Sequence, residues 1–182
     1  MLATSHSQQG DDGGATLYIT YFNGRTVLPH ATPWLSQGDI LLSRSTDGGK
    51  TWTGPVKVND DAGTTSHVFP NVQATNDGKV YVAWLDRRND PANELTNEWA
   101  DVSNNGGVSF GVDKVQSDVA TSWRARADAR PNFGDYNSSV LLGSGQLALV
   151  WADGRFTPVA GTPATPDTIF SVATGLGNEN QQ

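Results

Sequence analysis

The stretch STDGGKTW at residues 45–52 is repeated further along the chain as SNNGGVSF at residues 103–110. Both read Ser, any residue, Asp or Asn, any residue, Gly, any residue, Thr or Ser, and then an aromatic residue. A second pattern, an aromatic residue followed by x, Asn or Asp, x and Arg, occurs at residues 21–25, 84–88 and 151–155. Two independent patterns that return after roughly 60 residues indicate a repeated structural unit.

Short runs in which apolar and polar residues alternate predict β-strands between these repeats. Residues that favour turns bound each run, and the segments 76–79 and 143–146 predict tight hairpins. The segment 89–99, which contains Glu94 and Glu98, is predicted to be a loop. The predicted strands are 17–22, 39–43, 55–58, 72–75, 80–85, 138–142, 147–151 and 168–172.

The spacing of the repeats favours one all-β architecture over another. A unit of roughly 60 residues that holds four strands fits a blade of a β-propeller, whereas strand pairs do not repeat in sequence in a sandwich. We therefore predict a propeller of four-stranded antiparallel blades, with units at about 2–58, 69–115 and 133–172.

Composition excludes several classes of function. The chain has 182 residues, a net charge of −7 and no cysteine. The acidic balance, with scattered Lys and Arg, argues against a nucleic-acid partner, and the lack of cysteine excludes disulfides and thiolate metal sites. No apolar run is long enough to predict a membrane span, and the first residues do not read as a signal peptide. The charge and the missing cysteines point weakly to an extracellular or periplasmic setting.

The two glycine-rich segments resemble the Asp-box, the repeat of the sialidase-type (bacterial neuraminidase repeat) β-propellers. The segments 69–71, 82–88 and 134–136 also resemble bacterial members, so the likeness covers most of the chain from about 17 to 172. It implies a six-bladed ring, of which this chain holds about three blades, with each Asp-box between the third and fourth strands of a blade. The matching residues are Ser45, Asp47, Gly49, Thr51 and Trp52 in the first box and Ser103, Asn105, Gly107, Ser109 and Phe110 in a degenerate second.

The chemistry of the box favours a structural role. We expect Asp47 to accept hydrogen bonds from backbone N–H groups, Gly48 and Gly49 to adopt left-handed conformations, and Trp52 to pack between neighbouring sheets. The alternative, Asp47 as a calcium ligand, has little support because calcium takes six or more oxygen ligands. No motif predicts a cofactor or a metal site.

The position of the box orients the rest of a blade. Strand direction alternates, so the ends of the aromatic-x-Asp-x-Arg runs lie on the face opposite the boxes, where the resemblance implies a glycan pocket. Arginine can bind a sugar carboxylate through two hydrogen bonds, and carboxylates with a phenol can cleave a glycosidic bond. The candidate catalytic residues are Asp86, Asp135 and Tyr136, and the candidate substrate-binding residues are Arg25, His67, Arg88, Asp153 and Arg155.

The same residues allow other functions. An Asp, or Asn in the first unit, two residues before an arginine is also typical of a repeated structural ion pair or loop contact, and Arg87 could be a solvated side chain. The Arg-Ile-Pro or Arg-Leu-Pro segment of sialidases is missing, and neither Glu94 nor Glu98 matches a partner for a tyrosine nucleophile. A glycoside hydrolase of exo-sialidase type, a non-catalytic glycan- or protein-binding propeller and a structural subunit all stay open.

Three blades do not close a ring, because propellers have four to eight. The flat apolar faces of the two terminal blades would be exposed to solvent, and their area would exceed the apolar patch that a monomer tolerates. The sequence therefore predicts either a fragment of a longer propeller, a second copy that completes the ring, or another chain that supplies the remaining blades.

Overall fold

The computed structural model describes residues 2–9, 15–24, 38–122, 137–153 and 167–173. The described residues form strands joined by turns and loops, and they include no helix, which confirms the predicted all-β class. The strands are β1 (Leu2–Gln9), β2 (Ala15–Gly24), β3 (Gly38–Ser45), β4 (Val56–Lys57), β5 (His67–Ala74), β6 (Val80–Asp86), β7 (Leu95–Ser103), β8 (Lys114–Val115), β9 (Thr121–Ser122), β10 (Ser138–Leu141), β11 (Leu147–Asp153) and β12 (Asp167–Ala173).

The strands pair in chain order into three antiparallel sheets. Sheet 1 has the order β1-β2-β3-β4, sheet 2 has the order β5-β6-β7-β8 with β9 also paired to β7, and sheet 3 has the order β10-β11-β12. The main path of each sheet is thus a meander, and the four-strand paths of sheets 1 and 2 have the make-up of propeller blades. The hairpin turns predicted at 76–79 and 143–146 connect β5 to β6 and β10 to β11.

Sheet 2 lies between the other two, and β6 shows this most directly. Every residue of β6 is buried, although side chains alternate between the two faces of a strand. One face, with Val80, Val82 and Trp84, packs in a core with Ile40 and Leu42 of sheet 1. The other face packs against sheet 3. We call the first interface seam 1–2 and the second seam 2–3.

Seam 2–3 is the apolar layer between sheets 2 and 3. Its buried side chains come from β6, β7 and β11, which are inner strands of their sheets. An alternating strand buries one face only, so two apolar layers on opposite faces of β6 require a sheet on each side. The buried members are Tyr81, Ala83, Leu85, Ala100, Leu147, Leu149 and Trp151.

The two box-like turns occupy the places predicted for them, between β3 and β4 and between β7 and β8. Asp47 accepts hydrogen bonds from the backbone N–H of Thr51 at 2.9 Å, from its hydroxyl at 2.6 Å and from the Ser45 hydroxyl at 2.8 Å. Gly48 and Gly49 have φ angles of 71° and 92°, so both are left-handed as expected. These hydrogen bonds satisfy backbone groups that have no strand partner where the chain turns.

The second turn repeats this arrangement with an amide in place of the carboxylate. Asn105 Oδ1 accepts from the Ser103 hydroxyl at 2.7 Å and from the Ser109 backbone N–H at 3.0 Å, and its Nδ2 donates to the Ser109 hydroxyl at 2.8 Å. Gly107 has a φ of 76°. Phe110 packs against the core of seam 1–2.

Trp52 does not pack between neighbouring sheets as the sequence predicted. It is 39% exposed, and its indole N–H donates to the Gly49 carbonyl at 3.2 Å, so it closes its own turn. The turn that does reach the neighbouring sheet is the second, where Gly107 lies against Leu42 and Tyr18 of sheet 1. The box-like turn of sheet 2 is therefore part of seam 1–2.

The loop predicted over 89–99 is wrong from Leu95 onward, where β7 begins. Side chains at Thr96, Asn97, Glu98 and Asp101 are buried, so polar residues stand where the alternation of a buried strand normally shows apolar ones. The strand forms because both of its edges are paired, to β6 and to β8 and β9. The short strands β8 and β9 and the strand β1 were likewise missing from the predicted set.

Gly107→Ala tests the contact between the second turn and sheet 1. A Cβ at this position would lie 2.8 Å from Leu42 Cδ2 and 3.3 Å from Tyr18 Cε1, in a backbone conformation that disfavours side chains. We expect a loss of about 2–4 kcal/mol in the free energy of unfolding, from overpacking plus the left-handed cost.

Gly48→Ala is the matched control for that variant. Its φ of 71° is similar, but an added Cβ meets nothing within 4 Å. It should lose only the left-handed cost of about 1–2 kcal/mol in urea unfolding. Equal losses for the two variants would contradict the packing of this turn against sheet 1.

Candidate functional site

The candidate residues lie at the end of sheet 2 opposite the box-like turns. The registers place His67 beside Asp86 and Val80 beside Ser103, so the box-like turn after Ser103 and the end of β6 are at opposite ends. The predicted orientation of Asp86 and His67 is therefore correct. We call this end of the sheets the open end.

Six side chains meet at the open end of seam 1–2. Two are basic and four are acidic, and they come from the segment after β4, from the start of β5, from the end of β6 and from the residue before β8. We call them the seam cluster: Asp60, Asp61, His67, Asp86, Arg88 and Asp113.

The Arg88 guanidinium is the centre of the seam cluster. Its Nε and Nη2 both contact Asp86 Oδ2, at 2.8 and 2.7 Å, while Nη2 also contacts Asp113 Oδ2 at 2.6 Å and Nη1 donates to Asp60 Oδ1 at 2.7 Å. The group stacks on Trp99, with Cζ 4.3 Å from the ring centroid, and the side chain is 11% exposed. Burial alone would lower the pKa of Arg88, but the Asp86 and Asp113 carboxylates raise it.

Asp86 is a fully enclosed carboxylate. Besides the Arg88 side chain, the Trp84 indole N–H donates to Oδ2 at 2.8 Å and the Arg88 backbone N–H donates to Oδ1 at 2.7 Å. Burial would raise the pKa of Asp86, but hydrogen bonds from His67 and Arg88 hold it below its ordinary value. Asp86 is thus a fixed negative charge at neutral pH.

His67 joins the two sheets through both ring nitrogens. Nδ1 lies 2.7 Å from the Gly38 carbonyl of sheet 1, and Nε2 lies 3.1 Å from Asp61 Oδ1 and 3.2 Å from Asp86 Oδ2. Burial would lower the pKa of His67, but the two carboxylates raise it to about 9. The imidazolium form satisfies all three acceptors because both ring nitrogens then carry a proton.

Asp113 is the member of the seam cluster whose ionisation costs most. Burial raises its pKa, and the neighbouring Asp60 carboxylate raises it further, to about 7, against the opposing effects of the Asp60 backbone N–H and Arg88. Its Oδ2 accepts that backbone N–H at 2.9 Å. Two acids that share one guanidinium repel each other, so one of them keeps its proton more readily.

This arrangement makes the seam cluster a clamp between sheets. Gly38, Asp60 and Asp61 belong to sheet 1 and the segment that follows it, whereas the other members belong to sheet 2 and its loops. Asn59 extends the clamp, because it accepts from the Ile40 backbone N–H at 2.8 Å and donates to Asp61 at 2.6 Å. A ligand carboxylate at Arg88 would have to displace one of the acids that already hold it.

The remaining predicted residues are distributed differently. Asp153 lies at the end of β11, at the position in sheet 3 that Asp86 has in sheet 2, and it is buried. Arg25, Asp135, Tyr136 and Arg155 lie outside the described residues, so their roles stay predictions. Arg87 is not a solvated side chain: it is buried, and it donates to Thr96 Oγ1 at 3.1 Å and to the Asn93 carbonyl at 2.9 Å.

Sequence reasoning missed the acids that surround Arg88. Asp60 and Asp61 follow a short strand, and Asp113 lies in the turn region of another sheet. Their distance along the chain from Arg88 hides the contact.

Glu98 was also missed, because it was assigned to a loop. It lies in β7, is 1% exposed, and its Oε2 atom has no hydrogen-bond partner. Burial raises the pKa of Glu98 well above its ordinary value. The offset between the two boxes, applied to Ile40 of sheet 1, leads to Glu98 of sheet 2. An acid in sheet 2 therefore occupies the position that a core residue has in sheet 1.

The described residues offer neither a metal site nor a membrane-spanning helix. They contain no group of three or more His, Cys, Asp or Glu side chains arranged to hold a metal ion. Nor does that part of the chain contain a helix that is long and apolar enough to cross a membrane.

No protein-family model and no curated protein matches the chain. Among solved structures it is similar to an α-L-arabinanase of Penicillium chrysogenum in complex with arabinobiose, with 19% identity and a TM-score of 0.54. It is also similar to the α-L-arabinofuranosidase Arb93A of Fusarium graminearum with an iminosugar inhibitor, in two structures with 17% and 16% identity and TM-scores of 0.53. Each alignment covers 94% of this chain and 45% of the neighbour.

At such identities the likeness concerns the fold alone. Together with the succession of meander sheets, it shows that the chain is a partial β-propeller of about three blades. The chain spans less than half the length of these neighbours. The propeller part of the resemblance found in the sequence is thereby confirmed, and its sialidase part stays a prediction.

Replacing Arg88 tests the clamp. Arg88→Gln leaves Asp113 buried without a cation and Asp86 with His67 alone, which costs about 3–5 kcal/mol in the free energy of unfolding. The control is Lys57→Gln, which removes an exposed cation 3.0 Å from Asp39 and should cost less than about 1 kcal/mol. Urea unfolding of both variants measures the difference, and a loss for Arg88→Gln no larger than that of the control would refute the clamp.

The pH dependence of stability follows from His67. Because its folded pKa of about 9 exceeds the ordinary 6.5, its contribution is fully present below pH 6.5 and is lost as the pH rises through 9. The difference corresponds to on the order of 3 kcal/mol. Urea midpoints should fall between pH 6.5 and 9.5, and His67→Gln should flatten this part of the profile. A profile that keeps its slope in the variant would show that another group causes it.

Proposed function

We propose that the chain is part of a β-propeller that binds glycans and hydrolyses glycosidic bonds. The observation that carries the proposal is the likeness of 94% of the chain to an α-L-arabinanase and an α-L-arabinofuranosidase. Asp86 and His67, two of the residues predicted from the sequence to act on a sugar, lie side by side at the open end. Both observations support the same class of reaction.

The chemistry assigned to the open end is that of paired acids. Glycoside hydrolases use one acidic group to protonate the leaving oxygen and a second to attack the sugar or to activate water. In this proposal Asp135 and Tyr136 act on the sugar. Asp86 is enclosed by Arg88 and His67, so it acts as a positioning residue that fixes these two groups at the open end and does not touch the sugar. The donors around Asp86 support that role, since they hold its pKa below its ordinary value.

Two classes of sugar are compatible with the proposal. An acidic sugar, as in a sialidase-like enzyme, requires arginines with free donors, and the proposal assigns this role to Arg25 and Arg155. A neutral sugar requires no cation, and the names of the two neighbours support it. The enclosure of Arg88 by three carboxylates favours the neutral class.

A second candidate function, a non-catalytic glycan-binding propeller, has a specific observation in its favour. The best-placed arginine among the described residues holds two sheets together, so its position at the open end is explained without a substrate. The chain would then bind a glycan without turnover, in the extracellular or periplasmic setting predicted from the sequence.

Hydrolysis also depends on the completeness of the ring. The chain spans 45% of the length of its structural neighbours, so the activity proposed here belongs to a closed propeller. The rest of a longer chain or a second copy would supply the other blades. The candidate residues of this chain would then form one side of the pocket.

The decisive experiment measures turnover of fluorogenic glycosides by the purified protein, with α-L-arabinofuranosides and α-sialosides as the two probe classes. Tyr136→Phe and Asp135→Asn should each lower kcat/KM by at least about 100-fold, because they remove acid–base groups, while leaving the urea midpoint unchanged. Cleavage of the sialoside would favour the acidic class, and cleavage of the arabinofuranoside the neutral one. Glycan binding without any turnover would support the second candidate, and neither binding nor turnover would refute both.

A further inference from the structure

An apolar pocket opens beside the seam cluster and is not used by the mechanism above. It has a volume of about 380 Å³ and is lined by Tyr21, Phe22, Phe69 and Pro70. The first two residues lie near the end of β2, and the other two lie near the start of β5, which is an edge strand of sheet 2. The pocket is thus at the open end, between sheet 1 and the edge of sheet 2.

The pocket is a direct neighbour of the clamp. Phe22 pairs with Ile40 across β2 and β3, and the next pair but one in the same ladder joins Gly24 to Gly38. The Gly38 carbonyl is the group that His67 holds at 2.7 Å, and Phe69 follows His67 by two residues in β5. The clamp therefore fixes the relative position of the two strands that carry the aromatic rings.

Phe69 adopts an unusual backbone conformation at this point. Its φ is +53°, in the left-handed region that bulky side chains rarely occupy. The register between β5 and β6 shifts between Val68 and Asn71, so Phe69 and Pro70 form a bulge. A bulge redirects a side chain, and a strained conformation that persists at a rim is a reason to look for a function.

Phe22 is the second unusual feature. Residues 16, 18 and 20 of β2 are buried toward seam 1–2, whereas Phe22, on the same face, is 46% exposed. A large aromatic ring at the open end of an otherwise buried stripe costs hydrophobic free energy unless something covers it. The pocket that it lines with Phe69 offers a place for that occupant.

We propose that this pocket binds one uncharged sugar ring of a glycan, stacked on Phe22 and Phe69. Among the described residues, the lining has no acidic or basic side chain, so this part of the pocket offers no ion pair to a carboxylate or an amine. Flat rings with one polar edge, from Tyr21, suit a ligand that has an apolar C–H face and hydroxyl groups around its rim. The inference deepens the proposed function, on which the choice of a glycan rests.

The test measures binding rather than turnover. The probes are four neutral disaccharides (arabinobiose, cellobiose, lactose and mannobiose), with N-acetylneuraminic acid as the charged comparison, titrated into the full chain and followed by NMR. We expect at least one neutral disaccharide to bind, and Phe22→Ala to weaken its binding by about fivefold or more. Phe69 also packs against the core of seam 2–3, so Phe69→Ala should weaken binding and lower the urea midpoint as well.

Two controls separate stacking from a change in folding. Phe22→Tyr keeps the ring and should retain the affinity within about twofold. Val140→Ala removes a side chain that is 54% exposed on sheet 3 and should leave binding unchanged. No binding by any neutral disaccharide, or equal affinities for Phe22→Ala and the original chain, would overturn the proposal.

The same data separate this inference from the proposed function. Binding through Phe22 in a protein that cleaves no glycoside keeps the sugar subsite and refutes the hydrolase. Turnover with a KM that Phe22→Ala does not change keeps the hydrolase and refutes the subsite.

Discussion

The buried contact between Arg88 and the acids around it is the interaction on which seam 1–2 depends. A guanidinium is costly to remove from water, and here three carboxylates and the face of Trp99 replace the water at distances of 2.6 to 2.8 Å for the charged contacts. Two of those acids, Asp60 and Asp113, come from different sheets. The charge of Arg88 is paired only if the two sheets keep their positions. The seam cluster therefore fixes how the sheets are placed, whereas the apolar core supplies most of the free energy that holds them together.

The different roles of the ionic cluster and the apolar core explain why the open end is polar and the middle of the seam is apolar. The strand β6 is buried on both faces, and its apolar residues hold sheets 1 and 3 against sheet 2. At the last residue of β6 the apolar alternation stops and Asp86 begins a hydrogen-bonded network instead. Apolar packing tolerates small sliding movements, whereas an ionic network with fixed directions does not. The aromatic pocket therefore lies next to the most rigidly positioned part of the seam.

The fold could be predicted from the sequence where local patterns carry it. Alternation identified most strands of sheets 1 and 3, and the Ser-x-Asp-x-Gly turns predicted their own hydrogen bonds, as Asp47 and Asn105 show. Strand β7 could not be predicted, because its buried positions hold Thr96, Asn97 and Glu98, which are polar. The candidate site was predicted only in part. His67, Asp86 and Arg88 were identified from a repeated motif, but their partners Asp60, Asp61 and Asp113 are joined to them by tertiary contacts that no local pattern reveals.

The central claim is that the charged residues at the open end bind each other, and His67 reports on this most directly. A titration of the imidazole by heteronuclear NMR, with His67→Gln to assign the signal among the three histidines, measures its pKa in the folded protein. The contacts with Asp61 and Asp86 predict a value near 9, with both ring nitrogens protonated at pH 7. An ordinary value near 6.5 would mean that Asp61 and Asp86 do not enclose the ring, and it would contradict the account.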